Sequence, residues 1–248
     1  MNFNFEHQTV VITGAAGALG STTAELFFRA GANVALVDID FSKLTHPRWK
    51  HAKNVGMFET DLTDVNSVNN SVAAIVERFG QIDCLANVAG GFKMGPMVHE
   101  TSVADWEFML NLNTKSVFLM CRAVIPHMLE KNKGKIVNVA ARAATEGKAK
   151  MAPYCVSKAA VITLTQSLAA EHKMNNINVN CILPGTVDTL QNRNDIPDAN
   201  FSNWVPTTDL ANEILHLCSD QAKGVTGAAV QVYGKSSTIV ECGCMIRF

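Results

Sequence analysis

The 248-residue sequence predicts an α/β fold, a doubly wound parallel sheet with helices on both faces. Three observations predict it. Short apolar runs alternate along the chain with longer stretches of helical period, a glycine cluster follows the first run, and no shift of composition marks a boundary. Such alternation implies right-handed strand–helix–strand crossovers and a parallel sheet. About seven strands are expected, in one domain spanning 1–248.

The strands read, in order, as "QTVVIT" (8–13), "NVALVD" (33–38), "VGMFET" (55–60), "IDCLAN" (82–87), "GKIVNVA" (134–140), "NINVNCIL" (176–183) and "AAVQVY" (228–233). Each is rich in Val or Ile, or is bounded by Gly, Asn or Asp. Helical period fills 18–30, 65–79, 101–132 (as two helices), 152–173 and 207–219. Residues 187–206, "VDTLQNRNDIPDANFSNWVP", have no clear period and follow the sixth strand, on the side of the sheet where ligands bind. A long loop there reads as a substrate flap. The tail 235–248 fits no element.

Bulk composition narrows the function. Apolar residues make up 48% of the chain and the net charge is −1. No run of Lys or Arg forms a basic stripe, so nucleic acid is not an expected partner. The N-terminus "MNFNFEHQTVVITG" has neither a charged leader nor an 18-residue apolar run, so neither a signal peptide nor a membrane span is expected. A cytoplasmic protein with free thiols follows. Cys242 and Cys244 form a C-x-C pair without further ligands, so no metal is expected.

The first strand runs into "TGAAGALGS", with Gly14, Gly17 and Gly20. Glycines there allow a tight turn and close approach of backbone to a pyrophosphate, and the next helix offers unpaired N–H groups. Between a strand and a helix this is the dinucleotide-binding arrangement of a Rossmann domain. Ala18 and Leu19 complete the loop. Asp38 ends the second strand, where a carboxylate can accept from both adenosine ribose hydroxyls and repel a 2′-phosphate. NAD(H) is therefore expected over NADP(H). Asp61, followed by Leu62, can hold the adenine edge or cap a helix.

The glycine loop, "NVAGG" and Tyr154-x-x-x-Lys158 together resemble the short-chain dehydrogenase/reductase family over nearly the whole length. The family's T-G-x-x-x-G-x-G is met at Thr13, Gly14 and Gly20, with Ala18 at its middle glycine. Its N-N-A-G appears as Asn87, Val88, Ala89 and Gly90, its helix-borne Asn as Asn113, and its P-G-x-x-x-T as Pro184, Gly185 and Thr189. By resemblance, Thr189 contacts the nicotinamide carboxamide and Asn113 holds a water linked to Lys158. The resemblance also implies a dimer or tetramer, with helices 111–132 and 152–173 pairing across a two-fold. The main departure is Ala141, which stands where the family has its active-site Ser. The stretches "GALGS", "VAGGF", "ARAATEG" and the flap resemble the dihydropteridine-reductase-like branch, which uses Tyr and Lys without the Ser.

Tyr154 and Lys158 are four apart at a helix start and share a face. An ammonium and an oxidised nicotinamide both favour the phenolate, so a lowered Tyr pKa is expected, with Tyr154 as the acid–base group and Lys158 also touching the cofactor ribose. The missing Ser admits two explanations. A quinonoid pterin has no carbonyl to reduce, or another donor, Thr145 or the flap, has taken over. Phe92, Met94 and Met97 read as an apolar wall for a flat ring or as core. Trp204 closes the site or anchors the flap. His99, His127, His172 and His216 read as surface or satisfied residues. The leading function is NADH-dependent hydride transfer to a small acceptor, possibly a quinonoid dihydropterin. The alternatives are a ketone/alcohol enzyme and a non-catalytic nucleotide-binding protein.

Overall fold

The computed structural model describes residues 3–42, 44, 49 and 52–235. Seven strands form one parallel sheet: β1 (Thr9–Thr13), β2 (Asn33–Asp38), β3 (Val55–Glu59), β4 (Cys84–Asn87), β5 (Gly134–Val139), β6 (Ile177–Pro184) and β9 (Ala229–Val232). Their order is β3-β2-β1-β4-β5-β6-β9. The direction of winding reverses between β1 and β4, which places a crevice at the carboxyl ends of those strands. The two-residue strands β7 (Val187–Asp188) and β8 (Val205–Pro206) pair separately.

Each face of the sheet buries its own apolar layer. Helices α1 (Ala18–Arg29) and α7 (Thr207–Cys218) cover one face, where Phe27 and Leu210 pack with Val10, Leu36 and Ile182. Helices α2 (Val65–Phe79), α4 (Ser116–Glu130) and α5 (Ala152–His172) cover the other, where Val72, Met120 and Val161 pack with Val11, Leu85 and Ile136. Burial on both faces is why the strands read as continuous apolar runs rather than as alternating ones. No helix among the described residues is long and apolar enough to cross a membrane.

Local chemistry sets the helix ends. Asp64 accepts from the Ser67 N–H at the start of α2, and Ser102 from the Asp105 N–H at the start of α3 (Val103–Leu110). Such caps satisfy N–H groups that the helix leaves unpaired. The capping role open to Asp61 therefore falls to Asp64. The carboxylate of Asp61 instead accepts from both the N–H and the hydroxyl of Thr63, which holds its pKa below the usual range.

The 101–132 stretch does contain two helices, but they are continuous. Asn111–Lys115 form a π turn joining α3 to α4. The flap also departs from expectation. It contains a short helix, α6 (Leu190–Asp195), capped by Thr189 and braced by Arg193 on Asp188 at 2.6 and 2.7 Å. Its lack of period reflects elements too short to show one. The tail from 236 on, with Cys242 and Cys244, lies outside the described residues.

Candidate active site

All the strand ends that the sequence singles out lie along the carboxyl edge of the sheet. At β1, Gly14 to Gly20 pass into α1. A Cβ on Gly20 would overlap the carbonyl oxygen of Gly14, so the turn and the helix close on each other only without a side chain. Helix α1 begins at Ala18 with no side-chain cap, so its first N–H groups point out of the loop unpaired. Asp38 meets this loop from β2. Its carboxylate accepts from the Ala16 N–H at 2.9 Å and the Ile39 N–H at 2.8 Å, fixed and half-buried at the rim. Next to it, the Thr60 N–H donates to the Asp38 carbonyl, which brings Asp61 to the neighbouring strand end, with its side chain exposed and Leu62 turned into the core.

The β4 end is tied to β1 through Thr13, whose hydroxyl accepts from the N–H groups of Val88 and Ala89. Asn87 is fully buried and donates to Asn138 at 2.9 Å, and Asn138 donates to Thr165 on α5 at 2.9 Å. This chain of amides locks β4, β5 and α5 together beneath the crevice. A Cβ on Gly90 would lie 2.9 Å from both the Asn113 Oδ1 and the Lys158 Nζ, so the glycine lets those two groups approach the loop.

Asn113 lies in the π turn, 0% exposed. Its amide bonds both the N–H and the carbonyl of Gly91, at 2.9 and 3.0 Å, and donates to the Ser157 hydroxyl at 3.0 Å. Its side chain is thus committed to positioning the loop against α5.

A cavity of about 360 Å³ opens above these groups. Tyr154 and Lys158 line it together, as do Gly90, Phe92, Ala141, Pro184, Gly185 and Trp204. Phe92 meets the Tyr154 ring edge-on, with centroids 5.0 Å apart, so it is cavity wall rather than core. Met94 and Met97 are exposed and outside the wall. Trp204 lines the cavity and packs on Phe201 at 4.8 Å. Thr189 is not in the wall, because its hydroxyl caps α6 by accepting from Asn192, which is. Thr145 is exposed and donates to the Arg142 carbonyl, so it does not replace the missing Ser.

The Lys158 ammonium donates to the Val139 carbonyl at 2.8 Å. Burial pushes its pKa down to about 8. Burial also pushes the Tyr154 phenol up to about 12, the opposite of the lowered value expected. In the protein alone, desolvation is the main cause and the neighbouring Cys155 adds to it, whereas the lowered value is expected with an oxidised nicotinamide bound. No described group accepts from the Tyr154 hydroxyl, which leaves it available to a ligand.

Residues that sequence reasoning missed also line the cavity, notably Arg142, Lys148, Met151, Asn192 and Ile196. The run "ARAATEGKAK" carried a signal in its three cations close to the Tyr. Two of the histidines read as surface or satisfied are half-buried, each with one ring nitrogen unpartnered among the described residues. The Nδ1 atoms of His172 and His216, each in the last turn of a helix, are buried without a partner.

The family model described as short chain dehydrogenase matches residues 8–200. This chain belongs to the short-chain dehydrogenase family. The chain is 34% identical over 243 residues to a Danio rerio protein named dehydrogenase/reductase SDR family member 6, covering 92% of this chain and 96% of that protein. Among solved structures, a short-chain dehydrogenase/reductase titled glucose/ribitol dehydrogenase, from Brucella melitensis, superposes with a TM-score of 0.83 at 31% identity, covering 95% of this chain and 98% of that one. ElxO with NADP bound superposes at 0.84 with 26% identity, covering 92% and 97%. The dehydrogenase is thus an oxidoreductase of a family that uses a nicotinamide dinucleotide. The glycine loop, the free α1 N-terminus and the narrow approach at Gly90 fit such a cofactor.

Proposed function

We propose that this chain is an NADH-preferring oxidoreductase that reduces a small, reactive acceptor held against Tyr154. The observation that carries this reading is Ala141. It is buried in the same cavity wall as Tyr154, and it brings no hydroxyl. The dinucleotide supplies the hydride. Tyr154 gives the proton, and Lys158 holds the ribose and the Tyr154 side of the site. Losing one oriented donor to a developing oxyanion costs roughly 10²–10³ in rate. An acceptor such as a quinonoid dihydropterin develops no oxyanion and loses nothing. The edge of Phe92 and the ring of Trp204 suit a flat ligand.

The second reading is a ketone or alcohol substrate. It is favoured by the glucose/ribitol dehydrogenase title of the Brucella relative, since such substrates are alcohols. NADH oxidation should be followed over a panel of quinonoid dihydropterin, a β-ketoester and small quinones. Turnover of the flat acceptors well above the ketoester is expected. Ketoester turnover alone would reject the leading reading, and tight NADH binding with no turnover at all would favour a non-catalytic binding protein.

Two variants sharpen this. Asp38 should disfavour NADPH, because a carboxylate and a phosphate about 4 Å apart repel by about 4 kcal/mol at an effective dielectric of 20, which solvent reduces to roughly ten- to thirtyfold in affinity. Asp38→Ala should narrow that ratio, measured by fluorescence titration. Tighter NADPH than NADH binding in the parent protein would refute the preference. Ala141→Ser should leave pterin turnover unchanged or lower, with weak ketone activity at most. A ketone gain near 10²–10³ would favour the second reading. The exposed Phe118 on α4 and Val156 on α5 also support pairing of these helices in a homodimer or homotetramer, which sedimentation would measure.

A further inference from the structure

Ser157 stands in α5 between Tyr154 and Lys158, the two polar residues that α5 brings to the cavity, yet it does not line the cavity and is 0% exposed. Its hydroxyl makes two hydrogen bonds. It accepts from the Asn113 Nδ2 at 3.0 Å and donates to the Tyr154 carbonyl at 2.8 Å. The Ser157 carbonyl accepts from the Thr114 hydroxyl at 2.8 Å. Asn113 in turn bonds both polar groups of the Gly91 backbone. One hydroxyl therefore joins three segments: the loop after β4, the π turn and the opening of α5. Helix α5 starts without a side-chain cap, so outside ties of this kind place its first turns. A serine inside a helix that bonds back to an earlier carbonyl gains little stability by doing so. Here the bond fixes the peptide that carries Tyr154.

We propose that Ser157 is a positioning residue, whose hydroxyl sets the rotation of α5 about its own axis and so the aim of the Tyr154 hydroxyl into the cavity. A helix with its side chains is about 10–12 Å across, so a rotation of about 10° carries its outer atoms about 1 Å. A misplacement of that size costs up to about 10² in rate. Tyr154 and Lys158 bear such a rotation differently. The Tyr154 side chain is a rigid ring, set edge-on to Phe92 with centroids 5.0 Å apart. Lys158 has a flexible stem, and its ammonium is held independently by the Val139 carbonyl at 2.8 Å. Loss of the Ser157 hydroxyl therefore misdirects the phenol and spares the ammonium. The inference rests on the reading of Tyr154 as the proton donor of the reaction.

The test compares Ser157→Ala with a matched control, Thr114→Val. The control removes the hydrogen bond to the carbonyl of the same serine and leaves the Ser157 hydroxyl its two bonds. The chain has two tyrosines, so in a Tyr233→Phe background labelled tyrosine gives NMR signals from the Tyr154 ring alone. Those signals carry the ring-current shift of Phe92 and need neither cofactor nor acceptor. Ser157→Ala should move them, and should lower kcat by about tenfold or more with NADH affinity near the parent's. Thr114→Val should lower the melting temperature by a similar amount, yet leave the ring signals and kcat as in the parent. If Ser157→Ala does not fold, Ser157→Cys, close in size and a weak hydrogen-bonding group, takes its place with the same expectations. Unmoved ring signals, an unchanged kcat, a loss of NADH affinity as large as the loss of kcat, or equal effects of Thr114→Val and Ser157→Ala would overturn the proposal. Ring signals that move with Ser157, in a protein that turns over no acceptor, would reject the hydride-transfer reading and leave the placement of Tyr154 by Ser157 standing.

Discussion

Tyr154→Phe lowers kcat by about 10²–10⁴, the range for removing a positioned general acid, and changes NADH affinity little. The phenol ring stays wedged against Phe92, and no described protein group loses a hydrogen bond. Thermal stability should therefore match the parent. The pH dependence gives a second readout. Burial holds the phenol up near 12, so the Tyr154 proton needed for reduction is present throughout the neutral range; a fall in rate above pH 8 is expected from loss of the Lys158 ammonium instead. The reverse oxidation needs the phenolate and should rise with pH, and the Phe variant should lose that rise. An unchanged kcat, or a loss of NADH affinity as large as the loss of turnover, would refute this role.

Lys158→Met should remove most turnover and also weaken NADH if, as proposed, the same ammonium serves both cofactor and phenol. Its effect on stability runs the other way. The buried ammonium titrates near 8 instead of about 10.4, and a shift of that size corresponds to roughly 3 kcal/mol of folding free energy. Below pH 8 both folded and unfolded chains carry the charge, so the folded state bears the full cost of burying it. As pH rises from 8 towards 10.4, the folded chain gives up the proton first and the cost is relieved. The Met variant escapes this cost but leaves the Val139 carbonyl unpaired, which costs about 1–3 kcal/mol. A net gain of about 1 kcal/mol at pH 7 is expected. The advantage should shrink and reverse by pH 10. Urea unfolding at several pH values measures it, and a gap that widens with pH would show that the charge is not buried in this way. The site then trades stability for function at one residue.

The sequence carried the fold well where its signals were periodic. Strands buried on both faces are mostly apolar, as "TVVIT" shows, and where an Asn interrupts, as at Asn138 and Asn180, its side chain is hydrogen-bonded. The glycine loop was legible because overlap at Gly20 permits one residue type. The pairing of Tyr154 with Lys158 was legible because four residues make nearly one helical turn. What stayed hidden depends on how irregular segments fold back. Nothing in "ARAATEGKAK" shows that Arg142 turns onto Tyr233, ninety residues later, while Thr145 turns away. Thr189 matches a motif by position, yet its hydroxyl is spent on capping a helix too short to be seen in advance. The raised phenol pKa of the protein alone was not legible because burial depth has no signature in a four-residue spacing.

The π turn at Asn111–Lys115 fixes the phase between two halves of one long helix. A π turn holds an extra residue that an α-helix would not need. Removing one residue there would let the helix continue smoothly, but everything before the cut would rotate by about 100° relative to everything after it. Asn113 would then swing away from either Gly91 or Ser157, which it now bridges. The helix would be better formed and the crevice would lose the strut beneath Gly90 and Lys158. The irregular turn acts as a gear tooth: it sets the angle at which an apolar helix, seated in the core by Met120 and Val124, delivers a single polar side chain to the loop above the sheet.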